Sequence, residues 1–384
     1  MTAEKGPVPL SPEEKFFLVV TPGFERLALY ELHRHLVRQL PEWQGEPVLF
    51  AGGVEVSLPL SVGLNLNRFL RIPTRVLLRI ASQKNLLLYQ DLQKWLRTLD
   101  IKKYFPYGEI YVSTRSSKLK MKDKIKNVFA NSFQFQTKPK GPDVYIRFFR
   151  DECTVSLDTT GDELFRRGQD KWIGEAPIRE TMAAALLQLT SQGIEDFSQW
   201  AFLDPMMGSG TLLLEAAQMH QPLQREFSYE NWLKTDVAGK QSRSEVEVSS
   251  TIETLVEQKS FAKIYGRDIE QQNLEIAKNN TSGFPKALFE LRCEDLFRGH
   301  AETLHKPLMV LINPPYGKRL KIKNENFFND LLETIVKRFA PERIGVIVPR
   351  GKQIKKPAHY EQVRYLEFSN NGIDVHFHVL LAGS

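Results

Sequence analysis

Hydrophobic and polar positions along the chain follow one pattern before about Pro177 and another after it. In the front part FFLVV (16–20) reads as a buried strand, followed by a helix in TPGFERLALYELHRHL with Leu27, Tyr30 and Leu36 on its apolar face. VLFAGGVEVSLPL reads as a hairpin, because Gly52 and Gly53 separate two β-prone runs. LNLNRFLRIPTRVLLRIA (64–81) predicts a helix, a break at Pro73 and a strand from Arg75 to Ile80. A helix in DLQKWLRTL, a strand over 109–116, a helix over 122–134 and two strands in VYIRFFRDECTVSLDTTG complete this part. Strands and helices in no strict βαβ order make it α+β.

After Pro177 the alternation becomes regular. PIRETMAAALLQL predicts a helix, and short strands then alternate with helices: AFLDP and TLLLEAAQ, KIYGRDI and QQNLEIAKNN, then ALFELRC, LMVLINPP and FFNDLLETIVKRF, then RIGVIVP. That order predicts an α/β, Rossmann-like parallel sheet covered by helices. RYLEFSN and IDVHFHVLLA, joined by NNG, add an antiparallel C-terminal hairpin, giving seven strands. The expected division is a flexible tail over 1–15, a front region over 16–160, a linker over 161–176 and a second domain over 177–384. A polar stretch over 221–260 interrupts the second domain as an insertion.

Two segments carry chemistry. FLDPMMGSGTLLLEAA (202–217) is a strand, a glycine turn and an immediate helix start. Gly208 and Gly210 permit positive φ and close approach of a ligand, and the helix start beyond Ser209 and Thr211 offers N–H donors to an anion. No Lys follows Gly210, which excludes a Walker loop, and Leu213 replaces the third glycine of a dinucleotide fingerprint. Asp204 at the strand end then suits a cationic sulfonium better than a pyrophosphate. Asp268 at the end of the next strand can accept ribose hydroxyls, and Asp295 after the third can take an adenine amino proton. Successive strand ends converge on one crevice.

LMVLINPPYGKRL (308–320) runs a buried strand into Asn-Pro-Pro-Tyr. Pro314 and Pro315 fix the backbone, so the Asn313 side-chain oxygen and the Pro314 carbonyl can together accept both hydrogens of an aromatic amine. Such preorganised acceptors favour the nucleophilic, pyramidal nitrogen and are worth roughly 3 kcal/mol each. Tyr316 can stack on the target base, for about 1–3 kcal/mol.

Composition narrows the setting. The 384 residues carry a net charge of +6, which suits a polyanionic partner. Cys153 and Cys293 have no metal-ligand spacing and read as buried thiols, and the histidine pairs His33/His35 and His376/His378 have no ligating neighbours, so no metal site is expected. His376 and His378 share one strand face, read as solvent-exposed. The N-terminal residues contain no apolar core of signal-peptide length, and no run approaches the ~18 apolar residues of a membrane span. A cytoplasmic protein without membrane contact is expected; the oligomeric state stays open.

DPMMGSGT, NPPY and the preceding APIRETMAAALL resemble class I S-adenosylmethionine-dependent amino N-methyltransferases, and within them the THUMP-containing ribosomal RNA guanine-N2 methyltransferases of bacteria. LNLNRFLRIPTRVLLRI and the SKLKMKDKI region resemble that family's ferredoxin-like and THUMP front, SLDTTGDELFRRGQ its link, and REFSYENW part of its insertion. Met207 stands where the family has Cys, which reads as a packing exchange. The resemblance implies that S-adenosyl-L-methionine binds at Asp204, Gly208, Ser209, Gly210, Thr211, Asp268 and Asp295. It further implies that Asn313, Pro314, Pro315 and Tyr316 grip the target amine, and that S-adenosyl-L-homocysteine is released.

RNA contact is expected at Arg115, Lys118, Lys120 and Lys122, and at Lys318, Arg319 and Lys321 beside NPPY. The target guanosine has to be unpaired or flipped. Large-subunit ribosomal RNA is the expected substrate. Transfer RNA guanine-N2 and DNA adenine-N6 methylation are the alternatives, because NPPY serves both chemistries. A catalytically idle RNA-binding assembly factor is the non-enzymatic one.

Overall fold

The computed structural model describes residues 13–99, 101, 108–133, 143–168, 171–172, 178–230, 260–316 and 326–383. They form two compact units, one containing 13–20, 29–168 and 223–230, the other 21–28, 171–222 and 260–383.

In the first unit one seven-stranded sheet runs in the order β2 (Val48–Phe50), β3 (Gly53–Pro59), β1 (Glu13–Val19), β4 (Arg75–Gln83), β7 (Glu152–Asp158), β6 (Val144–Phe149), β5 (Ile110–Arg115). Every neighbouring pair is antiparallel except β5 with β6. Helices α1 (Glu25–Gln39, of which Leu29 onward belongs to this unit), α2 (Leu60–Phe69), α3 (Tyr89–Leu96) and α4 (Lys122–Phe133) punctuate it. β1 begins three residues ahead of the expected Phe16, inside the stretch read as a tail. α2 begins at Leu60 rather than 64, because Pro59 at its N-cap (φ −51°) turns the strand straight into the helix. Gly63 lets α2 close on β1: a Cβ there would lie 1.9 Å from the Phe16 ring.

On α1 the buried stripe is Ala28, Leu32 and Leu36 with Leu27 beside it, while Tyr30 is 37% exposed. The four-residue spacing of that stripe leaves Tyr30 on the other side of the helix, correcting its assignment to the core face. The link and the start of the insertion meet here. The Arg225 guanidinium donates to the carbonyls of Thr160 (3.2 Å), Glu163 (3.1 Å) and Arg166 (2.6 Å).

The second unit is the doubly wound half. Its sheet runs β10 (Phe289–Cys293), β9 (Lys263–Asp268), β8 (Ala201–Asp204), β11 (Leu308–Ile312), β12 (Arg343–Pro349), β14 (Ile373–Ala382), β13 (Tyr360–Asn370). β8 to β12 are parallel, and the β13–β14 hairpin is antiparallel, as its pattern predicts. Helices α5 (Glu180–Ser191), α6 (Thr211–Gln218), α7 (Gln271–Asn280) and α8 (Phe327–Phe339) accompany it. β11 is buried at all five positions, which is why it reads as an unbroken apolar run.

Chain order reverses at β8: β9 and β10 lie to one side, β11 and β12 to the other. A reversal of this kind opens a crevice beyond the carboxyl ends of β8 and β11. Two readings are corrected in this unit. Cys293 is exposed, because it ends the edge strand β10, whereas Cys153 is buried as expected. His378 is buried against the hairpin, with Nδ1 2.7 Å from Gln362 Oε1, so solvent exposure does not account for it.

Candidate active site

β8 delivers Asp204 to the crevice, 2% exposed, where one carboxylate oxygen accepts the Met206 N–H at 3.0 Å. Burial pushes this carboxyl up to about 8; the Met206 bond opposes the shift and the Asp268 charge adds to it. Gly208 (φ +52°) and Gly210 (φ +83°) hold left-handed conformations, so the turn requires glycine at both. A Cβ at Gly208 would meet nothing within 4 Å, leaving the backbone bare toward the crevice. Gly210 caps α6 without any side-chain cap. Met207 is buried, and its sulfur fills the space a Cβ on Gly266 would take, 2.4 Å away. That fits the packing exchange read from the sequence.

Asp268 ends β9 and is occupied from three sides. Oδ2 accepts the Gly208 N–H at 2.8 Å, and Oδ1 accepts the Glu270 N–H at 2.9 Å and the Asn273 side-chain amide at 3.0 Å. The carboxylate therefore positions the glycine turn as well as offering its remaining lone pairs. Asn280, at the end of α7, donates to the Ser209 carbonyl at 2.8 Å and brackets the Trp172 backbone, donating to its carbonyl and accepting its N–H. The Lys171 ammonium donates to Thr211 Oγ1 and lies 3.0 Å from Glu180, beside the start of α6.

Asp295 sits in the loop after β10. It accepts the Phe297 N–H at 2.9 Å and pairs with the exposed Arg298 at 3.2 Å. The loop is clamped from α8 by Arg338, 4% exposed, which donates to the carbonyls of Leu296 (2.9 Å) and His300 (3.0 Å) and pairs with Glu294 and Glu302. Gly299 lies flat on this guanidinium, where a Cβ would come within 2.1 Å. Two large apolar side chains next to the acids stay exposed: Ile269 at 60% and Phe297 at 45%.

β11 ends at Ile312 and presents Asn313, whose Oδ1 is buried with no hydrogen-bond partner among the described residues. Pro314 is buried; Pro315 and Tyr316 are half-buried. Asn370, 5% exposed at the end of β13, donates its side-chain amide to the Tyr316 hydroxyl. Its own Oδ1 is a second buried acceptor without a partner among the described residues.

The second unit thus carries Asp204, Gly208, Ser209, Gly210, Thr211, Asp268 and Asp295 on three neighbouring strand ends, and Asn313 to Tyr316 on the fourth. Arg115, Lys118, Lys120 and Lys122 belong to the first unit; Lys318, Arg319 and Lys321 lie outside the described residues. Lys171, Asn280, Arg338 and Asn370 are not among the residues singled out from the sequence. Among the described residues no group of three or more His, Cys, Asp or Glu could hold a metal ion, and no helix is long and apolar enough to cross a membrane.

The family model described as RMKL-like, methyltransferase domain (UPF0020) matches residues 167–378, more than half of the chain. The chain belongs to this methyltransferase family. The Rossmann-like class I fold and the methyltransferase class expected from the motifs hold.

Curated relatives carry the name ribosomal RNA large subunit methyltransferase K/L. One from Colwellia psychrerythraea is 29% identical over 333 residues, 80% of this chain and 44% of its own length. Another, from Psychromonas ingrahamii, is 30% identical over 302 residues, 71% of this chain and 38% of its own length. The chain therefore spans less than half of these relatives. Among solved structures, a possible methylase from Clostridium difficile 630 superposes with a TM-score of 0.77 at 22% identity, covering 97% of this chain and 98% of that one. SMU.472, described as a methyltransferase complexed with SAH, superposes with a TM-score of 0.75 at 21% identity, covering 97% and 99%. These two likenesses concern the fold.

Proposed function

We propose that the chain transfers a methyl group from S-adenosylmethionine to the exocyclic N2 amine of a guanosine in RNA, and that the RNA is from the large ribosomal subunit. The observation that carries the reading is the buried Asn313 Oδ1 at the end of β11, without a hydrogen-bond partner among the described residues. An unsatisfied buried acceptor costs about 1–3 kcal/mol, which a ligand's hydrogen-bond donor at this strand end would recover. Asn313 Oδ1 and the Pro314 carbonyl are two rigid acceptors, the complement of an NH2 group. The ribosomal choice rests on the names of the relatives.

The residues at the other strand ends fit the donor. Ile269 and Phe297, exposed beside Asp268 and Asp295, suit the two faces of an adenine ring, with the Asp295 carboxylate at its amino edge. Asp268 keeps lone pairs for ribose hydroxyls. Lys171, next to Thr211 and the start of α6, suits a carboxylate. Asp204 suits a cation, which would draw it into its ionised form.

When bound, S-adenosylmethionine supplies an electrophilic methyl on a positively charged sulfur. Asn313 and Pro314 hold both amine hydrogens, turning the nitrogen lone pair out of conjugation with the base. They also stabilise the positive charge that develops on nitrogen as the methyl arrives. Tyr316 stacks on the base, and the turn of Gly208 to Gly210 lets the backbone approach closely. The cationic nitrogen gives its proton to water, so no base is required before attack.

The test is to digest large-subunit ribosomal RNA, made without modification and incubated with the chain and isotope-labelled donor, to nucleosides. Label in N2-methylguanosine is expected. Label in N6-methyladenosine, label only with transfer RNA, or no label at all would contradict the proposal.

A further inference from the structure

In the first unit, the β5–β6 edge of the sheet carries on one side a strip of aromatic and basic side chains that the chemistry above does not use. β5 and β6 run parallel, and their register pairs Tyr111 with Tyr145, Ser113 with Arg147 and Arg115 with Phe149. Alternate residues of a strand share a face, so these six lie on one side. On the other side Ile110, Val144, Ile146 and Phe148 are buried, and α4 packs there against β5. Core formation therefore gives no reason for aromatic residues on the outer side. Yet Tyr111, on the edge strand, is 48% exposed and stacks on Tyr145, with ring centroids 5.1 Å apart and planes 21° apart.

The strip has a polarity. At its carboxyl end the guanidiniums of Arg147 and Arg150 lie 5.4 and 5.1 Å from the centre of the Phe149 ring, and Arg115 is exposed across the register. The turn between β6 and β7 closes on the same end. Arg150 N–H donates to the Arg115 carbonyl at 3.2 Å, and Lys118 N–H donates to Asp151 at 2.6 Å, which brings the exposed Lys118 alongside. The tyrosine end carries both signs: Asp143 accepts the Glu109 N–H at 3.0 Å, Glu109 is 3.7 Å from Lys126, and the Arg75 guanidinium lies 5.7 Å from the centre of the Tyr145 ring, whereas Asp151 is the acid at the basic end. Positive charge at one end and stackable rings at the other match a single nucleic-acid strand, which has one charged edge and one of bare bases. A duplex hides its bases, so it could use only the charged end.

We propose that Tyr111 and Tyr145 form a stacking platform for unpaired bases of the RNA, with Arg115, Lys118, Arg147 and Arg150 holding the adjoining phosphates. The proposal rests on the reading of RNA as substrate and adds a site for single-stranded RNA built from residues of the first unit, none of them among the crevice residues of the second. It is tested by fluorescence anisotropy with the full chain, using a labelled oligoribonucleotide of about ten nucleotides. The same sequence as a blunt duplex serves for comparison.

Tyr111→Ala and Tyr145→Ala are each expected to weaken single-strand binding by about tenfold, the scale of one lost base stack, with duplex binding and donor affinity unchanged. Tyr111→Phe keeps the ring and should bind as the unmodified chain does. Arg147→Ala and Arg150→Ala should each flatten the salt dependence by about one phosphate contact. Unchanged single-strand affinity in both Tyr→Ala variants overturns the platform while leaving the RNA reading standing. An unmodified chain that binds no single strand overturns both.

Discussion

Gly208 donates its backbone N–H to Asp268 Oδ2 at 2.8 Å, tying the turn after β8 to the end of β9 through one carboxylate. The bond links residues sixty positions apart and fixes the conformation in which the glycine backbone faces open space. Asp268 thus shapes the proposed donor site before any donor arrives. Asp268→Asn retains the size and removes the charge. Donor affinity measured by calorimetry is expected to fall about 10- to 100-fold, the worth of a hydrogen bond to a charged group. An affinity within twofold of the unmodified chain would remove Asp268 from the donor site.

Asp204 makes the free protein sensitive to pH. Its folded value, about 8, lies above its ordinary value of 3.8, so the folded state favours the protonated form. The associated stability is fully present below the ordinary value and is lost as pH rises from there through about 8. Asp204→Asn removes this loss, so the variant without ligand should melt higher than the unmodified chain at pH 8 and about equally at pH 4. A cationic donor selects the carboxylate, so donor binding near pH 7 should release protons. Calorimetry in buffers of different ionisation enthalpy checks this, and zero proton release would contradict the assignment.

Gly299 and Arg338 set the loop bearing Asp295. A methyl at Gly299 would lie 2.1 Å from the guanidinium carbon, against a side chain held by four partners. Gly299→Ala should therefore lower stability by about 1–3 kcal/mol, as overpacking does, and weaken donor binding through the loop. Arg338→Met leaves Glu294 and Glu302 to Arg267 alone within the buried cluster and frees the Leu296 and His300 carbonyls, and should cost about 1–3 kcal/mol. Denaturant unfolding with and without donor separates the two effects; normal stability and normal affinity together would refute the clamp.

These cases mark what a sequence reveals and what it hides. Strands and glycine turns were legible because their signals are local: alternation, unbroken apolar runs, and residues that allow positive φ. The place of Asn313 at the end of β11 was legible because two prolines follow it directly. Asn280, Arg338 and Asn370 were not, because each acts on a turn or loop of another element. An asparagine ending a helix, an arginine in an amphipathic helix and an asparagine before a hairpin turn all have ordinary local uses. Cys293 and Tyr30 were misread because a residue's type does not say whether its strand is an edge, or which side of a helix a core will choose. His378 was misread because a polar partner, Gln362, was invisible without the hairpin register.

Asn370 donates to the Tyr316 hydroxyl from the far hairpin, so it should orient that ring. Asn370→Ala is expected to lower kcat/KM for RNA by about 5- to 20-fold, the loss of one buried hydrogen bond, with donor affinity unchanged. Adding Tyr316→Phe should then lower it little further, because both changes break the same bond. Fully additive losses would mean that Asn370 acts elsewhere.

Asn313→Ala provides the most direct test, with single-turnover methyl transfer and donor affinity measured on the same preparation. The transfer rate is expected to fall by about 100-fold or more, with the donor dissociation constant within twofold of the unmodified chain. A full transfer rate, or an equal loss in rate and donor affinity, would contradict the account.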